Sequence, residues 1–354
     1  MSRFMSERYK NLSAYVPGEQ PTDMQYIKLN TNESPYPPSP MTIEAVSKEE
    51  VERLNLYPDP SCKKLKEVLA QKHGVKSENI FVSNGSDDIL NFAFMAFGGN
   101  GAIFPDISYG FYEVFCELHG IDYRKIPLKD NFEIDGADYF ESDALVVIAN
   151  PNAPTGMFMA VDKIEEIIRN NPDRVVVVDE AYIDFGGESC APLAEKYDNL
   201  LVVQTFSKSK NLAGARLGFA VGNSGLISDL EKIKYSTNPY SINRLSMAAG
   251  IAAVESDEYY QEKCKEIENT REFVSEELKK EGFTVTDSYA NFIFAKKDGI
   301  DGKTFYEKMR ENGVLIRHFD KERICDYNRI TIGTREQMEE FLKVAKKICK
   351  EFGR

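Results

Sequence analysis

Lys208 follows directly on Ser207 in the polar segment Thr205-Phe206-Ser207-Lys208-Ser209-Lys210-Asn211-Leu212-Ala213-Gly214-Ala215-Arg216. That segment comes after the apolar run Leu200-Leu201-Val202-Val203. A lysine at the end of a buried strand, with hydroxyls before it and an arginine after it, suits one chemistry. Its amine can form a Schiff base with an aldehyde cofactor, while the hydroxyls and the Arg216 guanidinium hold that cofactor's phosphate. Taken alone, the segment also fits a lysine on an exposed turn, and Lys210 reads as a solvated side chain. Upstream, Ile80-Phe81-Val82 runs into Ser83-Asn84-Gly85-Ser86-Asp87-Asp88 and then into an apolar helical stretch from Ile89 to Phe94. This is a glycine turn opening a helix. Its unpaired N–H groups make a seat for a phosphate, or the turn is an ordinary cap in which Asp87 and Asp88 complement the helix dipole.

Three unbroken apolar runs must position these groups. Leu145-Val146-Val147-Ile148-Ala149 ends in Asn150-Pro151-Asn152-Ala153-Pro154-Thr155-Gly156. Val175-Val176-Val177-Val178 ends in Asp179-Glu180-Ala181-Tyr182, and the third run ends in the Lys208 segment. A helical pattern at Ile164, Ile167 and Ile168 separates the first two. Such strands imply a parallel sheet covered on both faces. Ligands bind beyond the carboxyl ends of strands in sheets of this kind. All three polar clusters fall there, so they read as one site. From about residue 246 the pattern changes to long amphipathic helices, Met247 to Val254 and Tyr259 to Leu278, with short strands around Phe292 and Ile330 and a closing helix from about Arg335 to Phe352. The expected fold class is α/β in three parts. Residues 1–30 form an N-terminal arm. Residues 31–245 form a large cofactor-binding domain whose mostly parallel central sheet is flanked by helices. Residues 246–354 form a smaller α/β domain.

Composition narrows the chemistry. A formal net charge of −13 disfavours nucleic acid and anionic membrane as partners, while local arginines can still receive a small anion. Six scattered cysteines without a CxxC pair read as reduced thiols of a cytoplasmic protein. The first residues lack the apolar core of a signal peptide, and no apolar run approaches ~18 residues. The three histidines, His73, His119 and His318, lie far apart, which argues against a metal-based mechanism.

The ordered set of segments carries more than any one of them. Lys28-Leu29-Asn30-Thr31-Asn32-Glu33, Tyr57-Pro58-Asp59-Pro60, Asn84-Gly85-Ser86-Asp87, Ser108-Tyr109-Gly110, Pro154-Thr155-Gly156, Asp179-Glu180-Ala181-Tyr182, Phe206-Ser207-Lys208, Pro239-Tyr240-Ser241-Ile242-Asn243 and Arg329-Ile330-Thr331 come in sequence. Together they resemble the fold-type-I pyridoxal-phosphate aminotransferases, most closely those acting on histidinol phosphate. The resemblance runs from Tyr15 to Arg329. It implies that Lys208 bonds the aldehyde of pyridoxal 5'-phosphate and moves the proton at the substrate's α-carbon. Asp179 would face the pyridine nitrogen and keep the ring protonated. Tyr182 would donate to the cofactor's phenolic oxygen, and Tyr109 would stack on the ring. The phosphate would be held by backbone N–H groups around Gly85, Ser86 and Asp87, by Ser207 and by Arg216. Tyr57 would reach that phosphate from the neighbouring subunit of a homodimer. Where the family has asparagine before Pro-Thr-Gly this chain has Ala153, and Asn152 would serve only if the loop is shifted. Arg317 and Arg329 match the pair facing the substrate's anionic group, although Arg317 also reads as a surface residue. Tyr15 would close over the substrate.

The implied reaction is exchange of the amino group of L-histidinol phosphate with 2-oxoglutarate, giving imidazole acetol phosphate and L-glutamate by a ping-pong route within histidine biosynthesis. A threonine-phosphate decarboxylase or an aromatic amino-acid aminotransferase would fit the same scaffold. A DNA-acting regulator that binds pyridoxal phosphate needs an added helix-turn-helix, for which a match beginning by residue 15 leaves no room, and the charge is wrong for DNA.

Overall fold

The apolar, β-branched runs become strands, and the amphipathic stretches between them become helices. The computed structural model describes residues 2–10, 12 and 18–352. In chain order the strands are β1 (Ile27–Lys28), β2 (Ile80–Ser83), β3 (Ala102–Pro105), β4 (Tyr123–Ile126), β5 (Leu145–Ala149), β6 (Val176–Asp179), β7 (Leu200–Thr205), β8 (Gly218–Gly222), β9 (Phe283–Val285), β10 (Phe292–Lys297), β11 (Val314–Leu315), β12 (Arg317–His318) and β13 (Asn328–Thr331). The helices are α1 (Pro40–Ala45), α2 (Lys48–Glu52), α3 (Lys63–His73), α4 (Ser86–Phe97), α5 (Phe111–His119), α6 (Val161–Arg169), α7 (Ser224–Thr237), α8 (Arg244–Glu255), α9 (Asp257–Lys280), α10 (Gly302–Glu311) and α11 (Arg335–Phe352). Among the described residues, no helix is long and apolar enough to cross a membrane.

A seven-stranded sheet has the order β2-β8-β7-β6-β5-β3-β4. Strands β3 to β7 pair in parallel, and β8 runs antiparallel to both neighbours. The sheet is therefore mostly parallel, as expected, with one reversal that the sequence did not show. Its cause is local. The connection from β7 to β8 holds one short 3₁₀ turn and no crossover helix, so the chain doubles back. Thr205 then pairs with Gly218, which keeps both ends of the Lys208 segment at one edge of the sheet. On its other side Gly218 pairs with Ser83, just ahead of the glycine turn.

The strands bury both faces, and alternation divides them. Val146, Ile148, Val176, Val178, Leu200 and Val202 pack with α3, α6 and α8. Leu145, Val147, Val177, Leu201 and Val203 pack with α4, α5 and α7 on the other side. A second, antiparallel sheet has the order β12-β13-β10-β9, and its core is shared with α9, α10 and α11. The expected division at residue 245 precedes the change of core. Helix α8 still packs on the large sheet, and the handover lies within α9, between Tyr260 and Cys264. Strand β1 pairs in parallel with β11, and Leu29 joins the second core.

Lys210 is not solvated. It is only 9% exposed, and its ammonium shares Asp257 with Lys72. Gln261 donates to the other oxygen of that carboxylate, and the Lys210 ammonium lies 5.3 Å from the Tyr260 ring. The segment carrying Lys208 is thus pinned from behind to the start of α9. Burial would raise the Asp257 carboxyl, but the two ammonium groups outweigh it and hold the carboxyl at about 2, below its ordinary 3.8. A depressed carboxylate stabilises the fold above its unfolded value and loses that contribution as pH falls through its folded value. Asp257→Asn should cost about 3 kcal/mol, near the lower end for stripping a partner from a buried charge. In denaturant titrations the gap to wild type should be constant at neutral pH and should narrow between pH 4 and 2. A gap independent of pH would mean that the ion pair contributes nothing.

Candidate active site

The polar clusters meet beyond the carboxyl ends of β5, β6 and β7, around a cavity of about 110 Å³. Ser86, Asp87, Tyr109, Asp179, Tyr182, Ser207, Lys208 and Arg216 all line it, so the structure brings together most residues singled out from the sequence. Lys208 sits at the junction with a wider cleft of about 360 Å³, which Tyr109, Ala153 and Tyr182 also line. Its Nζ is 3.5 Å from the Thr31 carbonyl and 5.7 Å from the Tyr182 ring centre.

Asp179 ends β6, where alternation turns it away from Val178 and toward the cavity. The Tyr112 hydroxyl donates to its Oδ2 at 2.7 Å. Its Oδ1 is buried and has no hydrogen-bond partner among the described residues. Burial pushes the carboxyl up to about 6, against the pull of the Tyr112 hydroxyl and the Ala181 amide. A half-satisfied buried carboxylate is costly unless a cation or donor completes it. A protonated pyridine nitrogen is such a group.

The other end of the cavity suits a phosphate. Helix α4 begins at Ser86 with Gly85 before it, and no side chain caps it, so its first N–H groups remain available. Asp88 is turned back, accepting from the Ser83 hydroxyl and the Asn84 amide. Asp87 instead accepts from Arg216 Nη2 at 3.0 Å and from the Tyr109 hydroxyl at 2.7 Å. Arg216 Nη1 lies 3.5 Å from the Ser207 hydroxyl. Two glycines make this closeness possible. A Cβ at Gly85, which has φ 91°, would sit 2.7 Å from Arg216 Nη2, and one at Gly218 would sit 2.5 Å from the Ser86 nitrogen.

In the wider cleft, Arg317 on β12 and Arg329 on β13 are directly paired across the second sheet. Both guanidinium groups lie over Phe319, at 5.8 and 5.7 Å, and Arg329 Nη2 donates to the Asn30 carbonyl at 3.1 Å. Like charges opposite each other on neighbouring strands are unfavourable, and an anion between them would offset that cost.

Three expected residues stand apart. Asn152 is not brought into either cavity wall. Its side-chain nitrogen donates to the Ile107 carbonyl and the Thr155 hydroxyl, and its oxygen accepts from Ser108, so the amide is used up holding the loop. Ala153 lines the cavity in its place without a polar group. Tyr57 is 79% exposed, stacks on Tyr240 at 4.5 Å and lines neither cavity of its own chain. Tyr15 lies outside the described residues.

Sequence reasoning missed Tyr112 and Asn32. Tyr112 sits on the apolar face of α5 and reads as core. Asn32 donates from Nδ2 to the Tyr182 hydroxyl at 2.9 Å and accepts from Thr331 at 2.9 Å. Its left-handed backbone, φ 56°, is one that asparagine tolerates better than most residues. Its place inside the Asn30-Thr31-Asn32-Glu33 motif was the available signal.

Comparison with known proteins identifies the family. The family model described as aminotransferase class I and II matches residues 24–344. The histidinol-phosphate aminotransferase of Brachyspira hyodysenteriae is 50% identical over 353 residues, covering 99% of this chain and 100% of that protein. The Clostridium acetobutylicum enzyme of the same name is 46% identical over 344 residues, covering 97% and 98%. A solved structure of the Clostridium acetobutylicum histidinol-phosphate aminotransferase has a TM-score of 0.85 at 23% identity, covering 92% of this chain and 99% of that one. The Sinorhizobium meliloti enzyme in complex with pyridoxal-5'-phosphate has a TM-score of 0.83 at 23% identity, covering 92% of each. These two structures speak for the fold, which is that of the fold-type-I aminotransferases. With the family model spanning nearly its whole length and relatives at this identity, the chain belongs to the class I and II aminotransferase family.

Proposed function

We propose that this chain is a pyridoxal-phosphate-dependent aminotransferase that exchanges the amino group of L-histidinol phosphate with 2-oxoglutarate. The observation that carries the reading is the buried Asp179 Oδ1, without a partner among the described residues, in the same cavity wall as Lys208. Relatives named histidinol-phosphate aminotransferase, at 50% and 46% identity, support the substrate. The paired Arg317 and Arg329 support it too, since two cations balance a dianionic phosphate better than a single carboxylate.

Pyridoxal phosphate supplies an electron sink for negative charge at the substrate's α-carbon. The chain's own residues do the rest. Asp179 Oδ1 holds a proton on the ring nitrogen. The backbone N–H groups of Ser86 and Asp87, the Ser207 hydroxyl and Arg216 would hold the phosphate, while the Gly85 N–H is taken by the Ser83 carbonyl. Lys208 Nζ is the attachment point for the aldehyde and the base that moves the proton at the α-carbon. The Tyr182 hydroxyl accepts from Asn32, which leaves its own hydrogen to donate to the cofactor's phenolic oxygen. Arg317 and Arg329 hold the phosphate of one substrate and a carboxylate of the other. The functional unit we infer is a homodimer in which Tyr57 reaches the partner's phosphate seat. The exposure of Tyr57 beside the exposed Val51, Leu54 and Leu56 supports this.

Asp179→Asn should have two effects of opposite sign. Loaded with cofactor, the variant should lose on the order of 10³-fold or more in kcat, at ~1.4 kcal/mol per decade. Without cofactor it should melt higher than wild type at about pH 8, because a carboxyl raised from 3.8 to about 6 opposes folding once ionised. Scanning calorimetry should show that gap closing as pH falls to about 4, and a gap of the wrong sign would remove Asp179 from the desolvated position given to it. Arg329→Ala should lower kcat/KM for histidinol phosphate by about 10- to 150-fold, at roughly 1.5–3 kcal/mol per charge-assisted hydrogen bond. Histidinol, which lacks the phosphate, should lose far less. Equal losses would make Arg329 a structural residue. A wild type that decarboxylates threonine phosphate and ignores histidinol phosphate would overturn the reaction but keep the cofactor. Mixing inactive Lys208→Ala with Tyr57→Phe subunits should give heterodimers with one site free of both defects. Activity that does not rise on mixing would refute the shared site.

A further inference from the structure

The wider cleft has two walls from distant parts of the chain. One is the loop between β12 and β13, which contributes Phe319, Lys321 and Ile324. The other is the segment after β3, which contributes Ile107, Ser108 and Tyr109. Arg323, which lines neither cavity, joins them. Its Nη1 donates to Asp106 Oδ2 at 2.8 Å, and its Nη2 donates to the Leu128 carbonyl at 2.8 Å and the Lys129 carbonyl at 3.2 Å. Asp106 Oδ1 accepts from the Leu128 N–H at 2.9 Å, so the carboxylate is fixed before Arg323 reaches it. Asp106 directly follows β3, and Tyr109 comes shortly after it.

We propose that Arg323 is a positioning residue for substrate: by clasping Asp106 and the 128–129 carbonyls, it sets the distance between the Arg317–Phe319 wall and the Tyr109 wall. The proposal rests on the aminotransferase reading of the cleft. Three features support it. The guanidinium is a planar fork, so two separated nitrogens of one side chain serve a carboxylate and two carbonyls in a fixed geometry, which a lysine's single nitrogen does not offer. Beneath it, Ile324 packs with Ile107, Leu128, Phe132 and Phe294, an apolar cluster with members from both sides of the join. At the rim, Lys321 lies 3.7 Å from Glu113 on α5, a second and weaker tie in the same direction. Apolar packing alone is non-directional and tolerates sliding. The guanidinium contacts are directional and set the register of the join. None of its partners holds the cofactor. Loosening Arg323 should therefore free the β12–β13 loop and open the substrate cleft, while Tyr109 stays tied to the cofactor seat through its hydrogen bond to Asp87. If only a fraction of molecules keeps the walls at the right separation, apparent affinity falls by that fraction, while the chemistry of bound substrate is unchanged.

The test uses the cofactor-loaded enzyme with histidinol phosphate and 2-oxoglutarate. Arg323→Ala should raise both KM values about tenfold, as expected from losing charge-assisted hydrogen bonds, with kcat within about threefold and cofactor content unchanged. Arg323→Lys should recover only part of the loss. Asp106→Asn, which keeps the shape of the acceptor but removes its charge, should raise KM in the same direction. The double variant should be no worse than Arg323→Ala alone, because both substitutions break one contact. A second readout needs no substrate: trypsin should cut after Lys321 faster in Arg323→Ala than in wild type. A lower melting temperature with KM unchanged in both single variants would make Arg323 a structural residue and overturn the proposal. If Arg323→Ala fails to fold, Asp106→Asn decides by the same KM criterion. A wild type that ignores histidinol phosphate defeats the substrate reading alone, and the trypsin rates still decide whether Arg323 holds the loop.

Discussion

Gly218 pairs with Thr205 on one side and with Ser83 on the other, so three strand ends meet at one residue. The meeting is tight enough that any side chain at Gly218 would drive a Cβ into the first nitrogen of α4. This contact brings the helix start, the Lys208 segment and Arg216 within reach of a single anion. In the phosphate seat we propose, recognition would be a property of backbone approach, with the guanidinium added last. The same contact explains why β8 has to be reversed. A parallel β8 would carry Arg216 to the far edge of the sheet, away from the strand ends that hold Lys208 and Asp179. Behind the segment, the buried Lys210 and Asp257 stop it from lifting off.

Asp179 and its neighbour Glu180 show how two buried carboxylates can differ in what they have left to offer. Alternation along the strand sends them to opposite sides. Both are raised by burial, Asp179 to about 6 and Glu180 to about 7. Glu180 has both oxygens supplied, by the Cys190 amide, the Ser189 hydroxyl and Gln204. It ties the turn after β6 to β7 and has no capacity left for a ligand. Asp179 has one oxygen supplied by Tyr112 and one left over. Leaving that second oxygen unpaired costs stability, and a cationic partner such as a protonated ring nitrogen would offset the cost. A fully satisfied Asp179 would give a more stable chain with nothing to offer a ring nitrogen.

The legible part of this architecture was the part written in local pattern. Unbroken apolar runs marked β5, β6 and β7, and polar residues at their ends marked the cavity, because a doubly covered parallel sheet can be built in few ways. The illegible parts depend on long-range pairing. Nothing near Gly218 says that β8 runs backwards. Lys210 looked solvated because lysine usually is, and its partners Asp257 and Lys72 are remote in sequence. Asn152 sat one position from where an amide was wanted, and the loop spent that amide on Ile107, Ser108 and Thr155. Tyr112 was hidden because a tyrosine on an apolar helix face looks the same whether its hydroxyl meets a carboxylate or a backbone carbonyl.

Substrate choice belongs to a different layer of the structure from the chemistry. The chain carries a formal net charge of −13, so its overall field does not draw in an anion. Attraction has to be local, and we propose that it is concentrated where Arg317 faces Arg329 across the β12–β13 pair. That register is decisive, since a slip of one residue would send one arginine to the opposite face of the sheet. Phe319 lies under both guanidinium groups and offsets part of their repulsion through its ring face. The cofactor end of the cleft is held by the first sheet and the anion clamp by the second. On this proposal, changes in the small sheet and its loops would retune which anion is taken while leaving Lys208 and Asp179 undisturbed.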